Sequence, residues 1–380
     1  GANDAASTPA AGPTTAAAAA AAAASDLSVS PNSLRSSLVL YLQVFFPRFR
    51  VVLSKMYLLL PHQLQMSHHR ELLRSDRSLT CRAIQSCQVP AFDKNDLYVS
   101  ELGLDERYAL CRGVAEECVQ QDEELRRLLE VKPHPVCYDG FEPSGRMHIA
   151  QGVLRVININ RLTRAGCVFK FWIADWFAQL NNKMGGDLKK IQTVGKYFIE
   201  IWQAMGMDMR NVQFLWASEE INRRPDEYWR RVMEIARLVS VRRITRCCTI
   251  MGRAESEDMP AAQIMYPAMQ CADIFFLKAD ICQLGLDQRK VNMLAREYCD
   301  LVKPKIKHKP VILSHHMISG LKEGQAKMSK SDPDSAIFME DLETDVNRKI
   351  KGAFCKPEMV EGNPILDYAK HILFGYFGEV

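Results

Sequence analysis

The chain has no GxxxxGK[ST] loop, no GxGxxG turn after a strand and no HExxH helix. A bound nucleotide would therefore be held without a P-loop or a dinucleotide fingerprint, and the zinc-protease class is excluded. None of the 12 cysteines forms a CxxC pair or joins a Cys/His cluster with zinc spacing. Reduced thiols in an intracellular compartment are the default expectation, and the adjacent Cys247 and Cys248 read as part of a packed helical segment. No apolar run is long enough to span a bilayer. The run at 38–46 comes nearest and is broken by Pro47, Arg48 and Arg50. Acidic residues are missing from 27–70, where Arg and Ser recur. The net charge of +4 permits RNA binding without arguing for it.

What is present divides into unlike parts. Residues 1–95 carry a polyalanine tract at 16–24 flanked by Ser, Thr, Pro and Gly. This composition reads as a low-complexity, disordered extension, with an organelle transit peptide as the weaker reading. From Leu97 onward the sequence is patterned, and the whole chain, 47% apolar with 25% charged residues, suits a globular protein. Helical spacing predicts helices over 105–119 and 122–130. Strands follow at 136–140, 167–174 and 212–216, separated by helices at 148–165 and from Asp187 to near Gly206. Further helices are expected at 225–239, 259–276 and 287–301, with strands at 280–284 and 310–313. Residues 240–252 read as basic and less regular. Helices near 345–354 and 364–374 follow. Alternating strands and helices with continuous apolar strands predict an α/β fold built on a doubly wound parallel sheet.

Two elements carry chemistry. The first is Pro143-Ser144-Gly145-Arg146-Met147-His148, a strand-to-helix turn that places His148 at a helix start, where backbone N–H groups favour anions. Gly140, closing the preceding strand, would let a base or ribose approach the backbone. A plain βα turn with a capping histidine is the bland reading of this element. The second is Lys327-Met328-Ser329-Lys330-Ser331, whose mobile lysines suit a polyphosphate. Alone, such a cluster is usually a solvated loop. A third stretch puts Tyr266, Gln270 and Asp273 on one face of an otherwise apolar helix. Burying three polar groups without partners would cost about 1–3 kcal/mol each. They belong either to an internal hydrogen-bond network or to a binding site.

Taken together, the His148 turn, the Lys327–Ser331 loop and the segment Gly285-Leu286-Asp287-Gln288-Arg289 resemble the class I aminoacyl-tRNA synthetases. The surrounding residues resemble the eukaryotic and archaeal tyrosyl-tRNA synthetases. The family's His-Ile-Gly-His is here His148-Ile149-Ala150-Gln151, so the second histidine is replaced. The resemblance implies a Rossmann-like catalytic domain over 96–330, including an inserted helical segment near 225–260, and the beginning of a C-terminal helical domain over 331–380. It implies that Tyr138 and Asp273 bind the tyrosine phenol. Tyr266, Gln270 and Gln288 would hold the ammonium and carboxylate end, with Asp175 in the same polar network. It places ATP against Gly140, His148, Gly285, Asp287, Lys327, Met328, Ser329 and Lys330, with His148, Lys327 and Lys330 as the catalytic set. No protein-bound metal is implied; Mg²⁺ would travel with ATP, and no prosthetic group is expected. The implied partners are tyrosine, ATP, tRNA(Tyr) and a second copy in a homodimer, with no membrane. The implied compartment is the cytoplasm, or an organelle if the leader is a transit peptide. Tryptophanyl-tRNA synthetase and a catalytically silent synthetase-like RNA-binding or signalling protein are the alternatives. The chain stops at Val380 with most of an anticodon-reading domain outside it, so tyrosine activation with weak tRNA charging is the expectation. Arg242, Arg243 and Arg246 are candidates for acceptor-stem phosphates, or for surface pairs with Glu255 and Glu257.

Overall fold

The structure, a computed structural model, describes residues 92–119, 122–248, 260–328 and 332–375. The leader at 1–91 and the loop residues Ser329, Lys330 and Ser331 lie outside the described residues, as do Glu255 and Glu257. The described chain separates into two compact units, one of 92–147 with 151–317 and the other of 148–150 with 318–375.

The larger unit is built on a six-stranded sheet. In chain order it contains α1 (Leu104–Arg112), β1 (Glu117–Val119), α2 (Asp122–Val131), β2 (Val136–Phe141), α3 (Arg155–Arg164) and β3 (Val168–Ile173). Next come α4 (Asp175–Leu180), α5 (Leu188–Ala204), β4 (Val212–Trp216), α6 (Ala217–Arg223), α7 (Pro225–Leu238) and α8 (Val241–Cys247). It ends with α9 (Ala261–Phe276), β5 (Ile281–Cys282), α10 (Arg289–Leu301) and β6 (Val311–Ser314). The strands lie in the order β1-β6-β5-β2-β3-β4, and only β1 runs antiparallel to its neighbour. This is the doubly wound α/β fold that the alternation predicts. The direction of winding reverses between β2 and β5, so a crevice opens beyond the carboxyl ends of those two strands.

The central strands read as unbroken apolar runs because both faces are covered. Phe171 of β3 stacks on Trp202 of α5 at a centroid distance of 4.7 Å, and Phe141 meets the same indole edge-on at 4.9 Å. On the other face, α9 buries Met269, Ile274 and Phe276, all at most 3% exposed.

Three boundaries depart from the sequence reading. The helix predicted over 105–119 stops at Arg112, and Glu117–Val119 pairs with Ile312–Ser314 as an edge strand. Gly113 ends the helix, and the ladder with β6 outweighs the weak helical spacing of the last residues. The helix predicted from His148 starts as a π-helical turn, Ala150–Leu154, before α3 takes over. The basic stretch after Ser240 is more regular than expected. Ser240 caps α8 by accepting from the Arg243 N–H at 3.3 Å.

In the smaller unit, the backbone at His148 bridges to Phe338, and Ile149 N–H donates to the Ile337 carbonyl at 2.9 Å. Helices α11 (Glu343–Gly352) and α12 (Pro364–Tyr368) follow. Lys349 of α11 is fixed by a buried ion pair to Asp341 at 2.5 Å and by donation to the Ala336 carbonyl at 2.9 Å.

Candidate active site

The reversal between β2 and β5 brings Tyr138, Asp139 and Gly140 of β2 together with the loop after β5, and α9 packs against the same sheet face. On α9, Tyr266, Gln270 and Asp273 are all buried, and each has a partner from another element. Tyr266 donates its hydroxyl to Glu142 Oε1 at 2.7 Å. Gln270 Nε2 donates to Gln288 Oε1 at 3.0 Å. Asp273 Oδ1 accepts from the Tyr228 hydroxyl of α7 at 2.8 Å. The one-face spacing thus corresponds to a network joining α9 to β2, to α7 and to the loop after β5.

That network is unfinished at one point. Asp273 is 1% exposed, and neither its Oδ2 nor the buried Trp172 Nε1–H makes a well-formed hydrogen bond, although the indole lies near enough to act on the carboxyl. Burial pushes the Asp273 carboxyl well above the usual range, while the Tyr228 hydroxyl and the Trp172 indole act the other way. Burial also raises the Tyr138 phenol, with the Asp273 charge as the next cause. Tyr138, Tyr228 and Asp273 therefore form one coupled, water-poor cluster with a spare carboxylate oxygen. A buried acceptor left open costs about 1–3 kcal/mol, which a ligand hydroxyl would recover.

Asp175 is different in kind. It is fully buried at the start of α4, and four donors fill its two oxygens. Trp176 N–H and Ser218 N–H reach Oδ1 at 2.9 and 3.0 Å, and Gln192 Nε2 and Ser218 Oγ reach Oδ2 at 3.0 and 2.6 Å. Its part in the polar network is to fix its neighbours.

Glu142, just past β2, was not singled out in the sequence. It accepts from Tyr266 and, at 3.1 Å to each oxygen, from Asn181 Nδ2, and Lys183 Nζ lies 3.7 Å away. Its position directly before Pro143-Ser144-Gly145 was the available signal. Tyr228 was also missed, because nothing in the helical pattern of α7 separates a core tyrosine from one aimed at a carboxylate.

Gly140 and Gly285, expected on the nucleotide side, lie at the end of β2 and just after β5. A Cβ built on Gly140 would lie 3.0 Å from the Tyr138 hydroxyl, so a side chain there would crowd the phenol. A Cβ on Gly285 would lie 2.7 Å from Met317 Sδ and 2.8 Å from Asp287 Oδ1, so only glycine allows these groups to converge. Asp287 is exposed. Beside them Asp139 is buried, with Oδ2 3.1 Å from Arg155 Nη2. That is near enough for an ion pair but not aligned as a hydrogen bond. Burial pushes the Asp139 carboxyl up to about 6; Arg155 opposes this and the Asp287 charge reinforces it. The Arg155 guanidinium also lies over the Phe141 and Trp202 rings, 5.8 and 5.7 Å from their centroids.

Within the smaller unit, Lys327 is exposed and Met328 buried. The loop before them is braced where Gly320 N–H donates to the Gln325 carbonyl at 3.0 Å, and Lys322 Nζ meets Asp332 at 2.6 Å. Of the basic trio proposed for an acceptor stem, Arg243 is engaged. It binds both oxygens of Glu297 at 2.8 and 2.9 Å and the Cys247 thiol at 2.9 Å, whereas Arg242 and Arg246 are exposed. The sequence reading grouped all three arginines because a partner 54 positions away is invisible in local charge pattern.

Residues 130–373 match the family model described as tRNA synthetases class I (W and Y). The chain is 61% identical over 297 residues to the cytoplasmic tyrosine–tRNA ligase 1 of Arabidopsis thaliana, covering 78% of this chain and 76% of that protein. It superposes with a TM-score of 0.69 and 59% identity on the Leishmania major tyrosyl-tRNA synthetase solved with tyrosinol. That match covers 72% of this chain but 42% of the Leishmania chain, so the sequence spans under half of that protein. The Pyrococcus horikoshii tyrosyl-tRNA synthetase solved with L-tyrosine is 34% identical with a TM-score of 0.66, covering 72% of this chain and 81% of that one. A doubly wound sheet, a buried tyrosine–carboxylate cluster at its crevice and these matches together identify the chain as a member of the class I tRNA synthetases, on their eukaryotic and archaeal tyrosyl branch.

Proposed function

We propose that the chain activates tyrosine with ATP and transfers it to tRNA(Tyr). A tyrosine carboxylate oxygen attacks the α-phosphorus of ATP, the bond to the β-phosphate oxygen breaks, and tyrosyl-adenylate and pyrophosphate form. A hydroxyl of the tRNA terminal ribose then takes the tyrosyl group and AMP leaves. No side chain becomes a covalent nucleophile, and positioning with electrostatics carries the rate.

The observation that carries this reading is the open Asp273 Oδ2 in a buried cluster with Tyr138. The substrate phenol donates there. Phenylalanine would leave the oxygen unpaired, which is the strong form of rejection and needs no editing site. An indole-selective site has no use for that pairing, which disfavours tryptophan. At the other end of the substrate, Glu142 supplies the negative charge that meets the ammonium, and Tyr266, Gln270 and Gln288 orient the ammonium and carboxylate. Asp175 acts through Ser218 and Gln192.

Gly140, Gly285 and Asp287 hold the nucleoside half of ATP. His148 with Lys327 and Lys330 stabilises the phosphates in the transition state, with Mg²⁺ carried by the nucleotide. The exposed Met233, Val241, Ile264 and Met265 on α7, α8 and the start of α9 form the surface for a second copy. A cytoplasmic setting agrees with the name of the Arabidopsis relative. Pyrophosphate exchange with tyrosine and Mg²⁺–ATP tests the reading: exchange dependent on tyrosine is expected, and its absence would identify a catalytically silent protein.

A further inference from the structure

The smaller unit holds a buried ammonium that none of the roles above employs. After Ser335 the chain is extended, with φ −144° and ψ 147° at Ala336, and Ala336, Ile337 and Phe338 are each at most 2% exposed. Alternate residues of an extended segment turn their N–H and C=O groups to opposite sides. Those of Ala336 and Phe338 face Asp341 and α11. The Ala336 carbonyl accepts from Lys349 Nζ at 2.9 Å, and the Phe338 N–H donates to Asp341 Oδ2 at 2.9 Å. Lys349 Nζ also donates to that Asp341 oxygen, at 2.5 Å, and lies 4.9 Å from the centroid of the Phe338 ring. Ile337 faces the other way. Its carbonyl takes the Ile149 N–H at 2.9 Å, beside the backbone bridge between Phe338 and His148. One side of the segment is thus held by Lys349, and the other side holds the turn that carries His148.

Resting on the synthetase reading, in which His148 serves the phosphates, we propose that Lys349 is a positioning residue for that reaction: it sets the 336–338 segment and, through it, the place of His148. A buried ion pair is a poor way to fill space, since apolar side chains of like volume pack there without losing hydration. What the ammonium supplies is direction. Two of its hydrogens are committed to acceptors on either end of the segment, Ala336 and Asp341, so the height of one relative to the other is fixed. An apolar side chain would fill the volume and leave that height free. The neighbouring Arg348 of α11 also reaches the segment, meeting Asp334 at 2.9 Å. Both of those side chains are more than half exposed, so water can replace their pairing. Lys349 and Asp341, at 3% and 4%, have no such substitute.

The test uses the full chain carrying Lys349→Met together with Asp341→Asn. The pair of changes leaves no lone buried charge and keeps an acceptor for the Phe338 N–H. Amide hydrogen exchange should quicken at Ile149. In pyrophosphate exchange kcat should fall about tenfold or more, the scale expected when a group at the reaction moves by part of an ångström. Tyrosine affinity by calorimetry should stay the same, because Tyr138 and Asp273 belong to the larger unit. Added to His148→Ala, the same two changes should cost no further activity, since the residue they position is gone. Arg348→Ala should leave kcat in place. The proposal is overturned by unchanged protection at Ile149, by an unchanged kcat, or by a loss as large without His148 as with it. Tyrosine binding that weakens in step with kcat, or an equal loss in Arg348→Ala, would overturn it too. A parent chain that binds tyrosine but gives no pyrophosphate exchange would instead overturn the synthetase reading, while the Ile149 amide still reports whether Lys349 holds the segment.

Discussion

In the proposed reading Asp273 is the residue on which substrate choice turns, because its second oxygen is buried without a well-formed hydrogen bond among the described residues. Replacing Asp273 with Ala should lower the tyrosine-over-phenylalanine ratio of kcat/KM by orders of magnitude. Tyr228→Phe, which removes only the internal donor to Oδ1, should change that ratio far less; the ratio for each variant decides the assignment. Lys330→Ala should slow adenylate formation with little change in tyrosine affinity, since its proposed contact is made in the transition state. Single-turnover kinetics alongside equilibrium binding separates the two effects. Asp139 makes a different prediction. Its carboxyl is raised in the folded chain to about 6 from an ordinary value near 3.8, so the folded state binds the proton more tightly than the unfolded one. Its stabilising share is complete below about pH 3.8, declines as pH rises towards 6, and amounts to roughly 3 kcal/mol across that window. Denaturant unfolding from pH 4 to pH 7 should show this decline, and Asp139→Asn should flatten it.

At the scale of one element, α9 shows how a helix is adapted to carry a site. Pro267 lies inside it and has no N–H to offer the Gln263 carbonyl. The thiol of Cys248 meets that carbonyl instead, at 3.4 Å. The missing rung falls beside Tyr266, so the turn bearing Tyr266 is set by its bond to Glu142 as much as by the helix. Pro267→Ala should restore a regular helix and hold or raise the Tm while raising the KM for tyrosine. Thermal unfolding and exchange kinetics on one preparation would check both parts. A second element, α12, depends on its cap. Asn363 is 4% exposed; its Oδ1 accepts from Ile365 and Leu366 N–H at 3.1 and 3.4 Å, and its Nδ2 donates to the Met359 carbonyl at 3.0 Å. Asn363→Ala should cost about 1–2 kcal/mol in denaturant unfolding.

At the scale of the molecule, the proposed pairing of two copies rests on one exposed surface. On α7 and α8, Met233 and Val241 are 62% and 66% exposed, and α7 exposes Glu227, Arg230 and Arg237, while Arg231 and Glu234 are half-buried against Tyr298. A surface with apolar anchors among charges of both signs can pair with a rotated copy of itself. The double change Met233→Asp and Val241→Asp should shift the sedimenting species from dimer to monomer at micromolar concentration. A parent chain that sediments as an active monomer would remove the dimer from the account.

The order of strands and helices, the polar stripe on α9 and the two motif-bearing turns were legible in the sequence. Hydrophobic period, turn residues and residue spacing are local quantities, and the chain carries them wherever it folds. What the stripe was for was not legible. The spacing of Tyr266, Gln270 and Asp273 says that three polar groups share a face. Only packing decides that Glu142, Gln288 and Tyr228 meet them, and that one oxygen of Asp273 is left over. Edge strand β1 was invisible for the same reason: three residues become a strand because β6 lies beside them. The raised carboxyl of Asp139 and the pairing of Arg243 with Glu297 belong to the same class. Each depends on which charges and how little water the tertiary fold puts around a side chain, and a linear sequence states neither.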